Sequence, residues 1–145
     1  MKFLITDELG RLARWLRLLG YDVAPEKNRT ILIIRSIRED RIILARNSKL
    51  PRYIGHKTVR IESDSVKEQL EQVVKRLNLK IDRSGLFTRC VLCNAVLEPV
   101  EKNSVKDLVP PRVLAAQDMF MRCPACKKIY WQGTHRSLVN GFLDR

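Results

Sequence analysis

The chain has 145 residues, and 28 Lys and Arg stand against 16 Asp and Glu, for a formal charge of +12. That length allows one core of ordinary size plus a small metal-stapled unit, and the excess charge excludes a surface of balanced ion pairs and favours a polyanionic partner, nucleic acid first. Charges interrupt Met1 to Asp7 and no stretch approaches 18 apolar residues, so neither a signal peptide nor a membrane span is expected and the reading is cytoplasmic. An anionic membrane surface is the weaker partner, because no long amphipathic helix with aromatic anchors is evident.

Lys2-Phe3-Leu4-Ile5 reads as a short buried strand that runs into Thr6-Asp7-Glu8. Acidic residues at a strand's carboxyl end are where an open α/β sheet binds ligands, so Thr6, Asp7 and Glu8 are site candidates, with Asp7 capping the next helix as the plainer alternative. Leu9 to Leu19 is an amphipathic helix ended by Gly20. Arg11, Arg14 and Arg17 step round it at three-residue spacing, either as a ridge able to grip phosphates or as a solvated face whose stems cover Trp15 and Leu18.

Tyr21 to Ala24 is predicted as a strand. Thr30 to Arg38, apolar all round, fits either a strand or a helix capped by Thr30. Arg41 to Ala45 is a buried strand delivering Arg46 and Asn47 at its carboxyl end, and Thr58 to Ile61 is another, after a loop holding Tyr53 and His56. Ser65-Val66-Lys67-Glu68 has the form of a capping box opening a helix that ends near Asn78. Lys80 to Thr88 reads as a linker.

Two pairs, Cys90-Val91-Leu92-Cys93 and Cys123-Pro124-Ala125-Cys126, lie 29 residues apart and contain every cysteine of the chain. Facing C-x2-C turns supply four soft thiolates at tetrahedral geometry, the pattern of a closed structural zinc site. Two disulfides are the alternative, and a reducing compartment argues against them. Loss of one cysteine is expected to unfold this unit and leave the sheet largely intact. Arg112 to Met119 is a short helical candidate. Lys127 and Lys128 lead into a strand whose Tyr130 and Trp131 suit packing over the metal loop or stacking on a base.

Leu9-Gly10-Arg11-Leu12-Ala13-Arg14-Trp15-Leu16-Arg17-Leu18-Leu19-Gly20-Tyr21-Asp22, then Asp40 to Arg46, Cys90…Cys93-Asn94, and Cys123…Cys126…Tyr130-Trp131-Gln132-Gly133-Thr134-His135 closely resemble the Mut7-C family over essentially the whole chain. The resemblance implies a PIN-type nuclease fold, a parallel α/β sheet flanked by helices, over residues 1–82, with a zinc ribbon over residues 83–145. For that reason Thr30 to Arg38 is read as a helix. PIN-type nucleases hold Mg2+ or Mn2+ with hard carboxylate oxygens at strand carboxyl ends. The family pattern places one Asp three residues before the Leu-Gly pair and another after the later strand. Here those positions hold Thr6 and Asn47. Asp7 adjoins the first, and Asp22 matches the family motif.

Two readings follow. In the first, the chain is an RNA-binding protein with a degenerate PIN-type fold and structural zinc, its partner ribosomal or other structured RNA, contacted through Arg11, Arg14, Arg17, Arg46, Lys127 and Lys128. In the alternative it is an active ribonuclease using Mg2+ or Mn2+ at Asp7 and Asp22. DNA recognition is weaker, since no helix with base-reading polar residues stands out.

Overall fold

The computed structural model describes residues 1–46 and 57–132. Strands β1 (Lys2–Ile5), β2 (Asp22–Pro25), β3 (Arg41–Ala45) and β4 (Lys57–Arg60) form a parallel sheet in the order β2-β1-β3-β4. Helices α1 (Gly10–Leu18), α2 (Arg29–Glu39) and α3 (Val66–Leu77) flank it. Side chains of successive strand residues face opposite ways, and the core divides accordingly. Phe3, Ile5, Val23, Leu44 and Val59 meet Leu12 and Leu16 of α1 and Leu70 and Val73 of α3 on one face. Leu4, Ala24, Ile43 and Ala45 meet Leu32 and Ile33 of α2 on the other. Strand order reverses between β1 and β3, so their carboxyl ends border the crevice in which sheets of this kind take a ligand.

The segment Thr30 to Arg38 is helical, as the resemblance requires and against its β-branched composition. Its cap is Asn28 and not Thr30: the Asn28 side chain accepts from the amides of Thr30 and Ile31 at 3.0 and 3.1 Å. The expected box at Ser65 does not form either. Ser65 makes no side-chain cap bond, while Ser63 engages Glu68 and accepts from the Ser65 amide. Asn78 closes α3 in the left-handed conformation at φ 50°.

Gly20, at φ +96°, ends α1. A Cβ there would lie 2.4 Å from the Gly85 carbonyl oxygen, so only glycine lets the segment after α3 approach this closely. That segment is no bare connection: Phe87 is buried in the main core and its amide donates to the Leu18 carbonyl at 3.4 Å. The remaining described chain forms β5 (Glu98–Val100), α4 (Pro111–Ala116), β6 (Phe120–Arg122) and β7 (Ile129–Tyr130), its three strands making an antiparallel sheet in the order β5-β6-β7. Val105, Val109 and Phe120 form its small core, and Trp131 packs on Phe120 at 6.4 Å between ring centres.

Candidate metal centre and the carboxyl edge of the sheet

The two cysteine turns fold alike. In the first, the Asn94 amide donates to the Cys90 carbonyl at 2.9 Å and the Cys93 amide to Cys90 Sγ at 3.4 Å. In the second, Lys127 donates to the Cys123 carbonyl at 2.9 Å and Cys126 to Cys123 Sγ at 3.4 Å. Asn94 and Lys127, each directly after its second cysteine, are left-handed at φ 65° and 67°. Each turn thus curls its amides toward its own sulfur, which stabilises the thiolate. The four Sγ atoms lie within 4.8 Å of one another, with Cys90 and Cys123 buried and Cys93 and Cys126 exposed.

Four converging sulfurs fit a tetrahedral thiophilic metal held for structure, with no position left open for substrate. Tyr130 reinforces the site. Its hydroxyl accepts from the Val91 amide at 3.1 Å and so turns its own hydrogen toward Cys90 Sγ, also 3.1 Å away. Burial raises the Cys90 thiol, but the Tyr130 hydroxyl and the amides of Cys93 and Leu92 outweigh it and bring the value to about 6. Sharing of hydrogen bonds with Cys126 drives Cys93 the other way, to about 12. Of the two options for this aromatic pair, Tyr130 takes packing against the metal loop, while Trp131 packs away from it on Phe120.

The first turn is docked on the α/β sheet. Arg17, expected on an exposed ridge, is 7% exposed. Its Nε and Nη2 donate to the Val23 carbonyl at 3.0 and 2.8 Å, and its Nη1 to the carbonyls of Val91 and Leu92 at 2.9 and 3.4 Å. The ridge therefore consists of Arg11 and Arg14, both exposed. The reason is local: Arg17 lies in the last turn of α1, where the chain returns past the helix, and peptide carbonyls there need a donor that reaches in several directions.

Asp22, half-buried, is likewise engaged within the chain. One carboxylate oxygen accepts from Arg41 Nη1 and Asn94 Nδ2, both at 2.8 Å, the other from Arg41 Nη2 at 3.3 Å, and Arg89 stands 3.9 Å away. Burial raises its pKa, yet hydrogen bonds from Arg41 and Asn94 prevail and hold the carboxyl below its ordinary value. Asp22 pairs in register with Lys2, at the amino end of the sheet. Four residues of parallel strand, about 13 Å, separate it from Thr6, so the structure does not bring Asp7 and Asp22 together.

Folded Asp22 has the lowered pKa, so its contribution is present above the ordinary aspartate range and fades as pH falls through the folded value. Asp22→Ala is expected to lower stability by about 1 to 3 kcal/mol at neutral pH. Denaturant unfolding should show the gap to wild type narrowing in acid.

At the carboxyl edge several acids are already engaged. Thr6 Oγ1 donates to Glu8 at 2.8 Å, and exposed Asp7 pairs with Lys27 at 3.7 Å. Glu26 accepts from the amides of Lys27 and Asn28 and pairs with Arg35 at 3.2 Å. Arg46, following β3, pairs with Asp64, following β4, at 2.5 Å. Asn47 lies outside the described residues, as do Tyr53, His56 and Gly133 to His135. The sequence of residues 47–56 contains no Asp or Glu, so that connection adds no carboxylate. Among the described residues, the four cysteines are the one group of three or more His, Cys, Asp or Glu able to hold a metal ion.

Sequence reasoning missed Asn94, Arg41 and Arg89 as partners of Asp22, and Tyr130 as a donor to Cys90. A signal existed for Asn94 alone, since a polar residue that tolerates left-handed backbone directly follows a C-x2-C pair.

A parallel α/β sheet flanked by helices and carrying a four-cysteine cluster defines the class. The family model of the Mut7-C RNAse domain matches residues 1–143, and the chain belongs to that family, whose function is nuclease-like or otherwise concerned with RNA. No curated protein and no solved structure matches. No helix among the described residues is long and apolar enough to cross a membrane.

Proposed function

We propose that the chain binds structured RNA, ribosomal RNA being one such partner, without cleaving it, on a PIN-type fold that has lost its metal carboxylates, and that the cysteine site holds zinc. The observation that carries this reading is the neutralised carboxyl edge. Asp7, directly after Thr6, and Asp64, which follows β4, each have a cation of the same chain beside them in Lys27 and Arg46. A divalent ion needs several hard oxygens converging on one point, and cations bound to those oxygens compete for the same charge. The cations left over suit phosphates. Arg11 and Arg14 open α1, which starts at this edge, and Lys127 and Lys128 are exposed on the second cysteine turn, Lys128 lying 5.3 Å over the Tyr130 ring.

If Arg11 and Arg14 hold phosphates, the log–log slope of RNA affinity against salt should flatten by roughly two contacts' worth in Arg11→Ala/Arg14→Ala protein, each contact contributing about 0.7 to 0.9. An unchanged slope would place the RNA elsewhere. The converse of the lost acids is also testable. Thr6→Asp with Asn47→Asp restores the two family carboxylates, and Mn2+-dependent cleavage is expected to appear in that double variant over an inactive parent.

A further inference from the structure

We infer that the first cysteine turn is a metal-set clamp closing the open edge of the parallel sheet, so that metal occupancy controls the order of β2 and not of the small unit alone. Strand β2 ends the sheet order, and an edge strand presents amides and carbonyls that no neighbouring strand satisfies. Here two side chains stand in for that strand. The Val23 amide donates to Asn94 Oδ1 at 2.9 Å, and the Val23 carbonyl accepts from Arg17 at 2.8 and 3.0 Å.

Both side chains depend on the turn. Asn94 closes it in the left-handed conformation and holds Asp22 through its Nδ2. Arg17 is anchored on the carbonyls of Val91 and Leu92, the two residues between Cys90 and Cys93. The donor set is four thiols at metal-ligand spacing, and such a site fixes its turns when filled. Once the metal leaves and the turn relaxes, the Val23 amide loses its acceptor and the buried Arg17 guanidinium loses the carbonyls of Val91 and Leu92. Local opening of β2 relieves both losses. Strand β3 is hydrogen-bonded to β1 and β4, neither of which opens, and keeps its bonds on both sides.

The test is residue-level amide exchange on the full chain, with metal content measured in each sample. Removing the metal with a chelator should speed exchange at Val23 by about tenfold or more, the factor for losing a hydrogen bond of ordinary net strength, while Ile43 and Leu44 of β3 stay protected. Metal-loaded Asn94→Ala protein should show the same acceleration at Val23. Unchanged exchange at Val23 after verified metal loss overturns the inference. So does parallel loss of protection in β2 and β3, which means general unfolding, or an unaltered Val23 in loaded Asn94→Ala protein.

Discussion

Cys123→Ser protein is expected to retain almost no metal after purification, against an expected one ion per chain in the wild type. Cys123 is buried, and serine cannot replace a thiolate as a soft ligand. Structural zinc in small cysteine sites is worth on the order of 10 kcal/mol of apparent binding energy, most of which appears as folding energy. The small antiparallel sheet has little to replace it: Val105, Val109 and Phe120 are its buried apolar residues beyond those around the cysteines. Metal analysis and thermal unfolding check this together. Wild-type-like stability in metal-free variant protein would mean that the core of the small unit suffices.

Arg17→Met should be the most damaging substitution among the arginines. It removes a guanidinium that serves three carbonyls in two parts of the chain and leaves the Val23 carbonyl inside without a donor. The cost is expected at about 3 to 5 kcal/mol, the range for dismantling a buried charged network, or roughly 8 to 16 °C in a chain of this size. Arg11→Met and Arg14→Met, at exposed positions of the same helix, should change stability by no more than about 0.5 kcal/mol. Thermal unfolding of the three single variants separates the roles. Equal effects would return Arg17 to the surface.

What the sequence made legible follows from periodicity and spacing. Phe3 to Ile5 and Arg41 to Ala45 are short apolar runs bounded by polar residues, and both are strands. Leu12 and Leu16 mark the buried face of α1, and the two C-x2-C pairs converge as their spacing requires. The segment from Thr30 to Arg38 was readable only through the family resemblance, because Ile31, Ile34 and Ile37 remain about half exposed on α2 and blur any helical stripe.

The capping details failed for another reason. Asn28 and Ser63 each offer an acceptor two residues before the expected cap, and local hydrogen bonding decided between near-equal choices. Arg17 and Asp22 were misjudged because their partners, Val91, Leu92 and Asn94, lie about 70 residues further along the chain. A three-residue spacing of arginines is the same whether the third points to water or to a carbonyl. Charge count alone therefore overstated the ridge, and only tertiary contact shows which basic side chains remain free to meet a phosphate.

The most direct measurement is incubation of end-labelled structured RNA with metal-loaded protein in Mn2+ at low salt, followed by separate native and denaturing gels. Retarded RNA that runs at full length on the denaturing gel is the expected result. Shortened products that vanish on chelation of Mn2+, and vanish again in Asp7→Asn protein, would contradict it and make the chain a working ribonuclease.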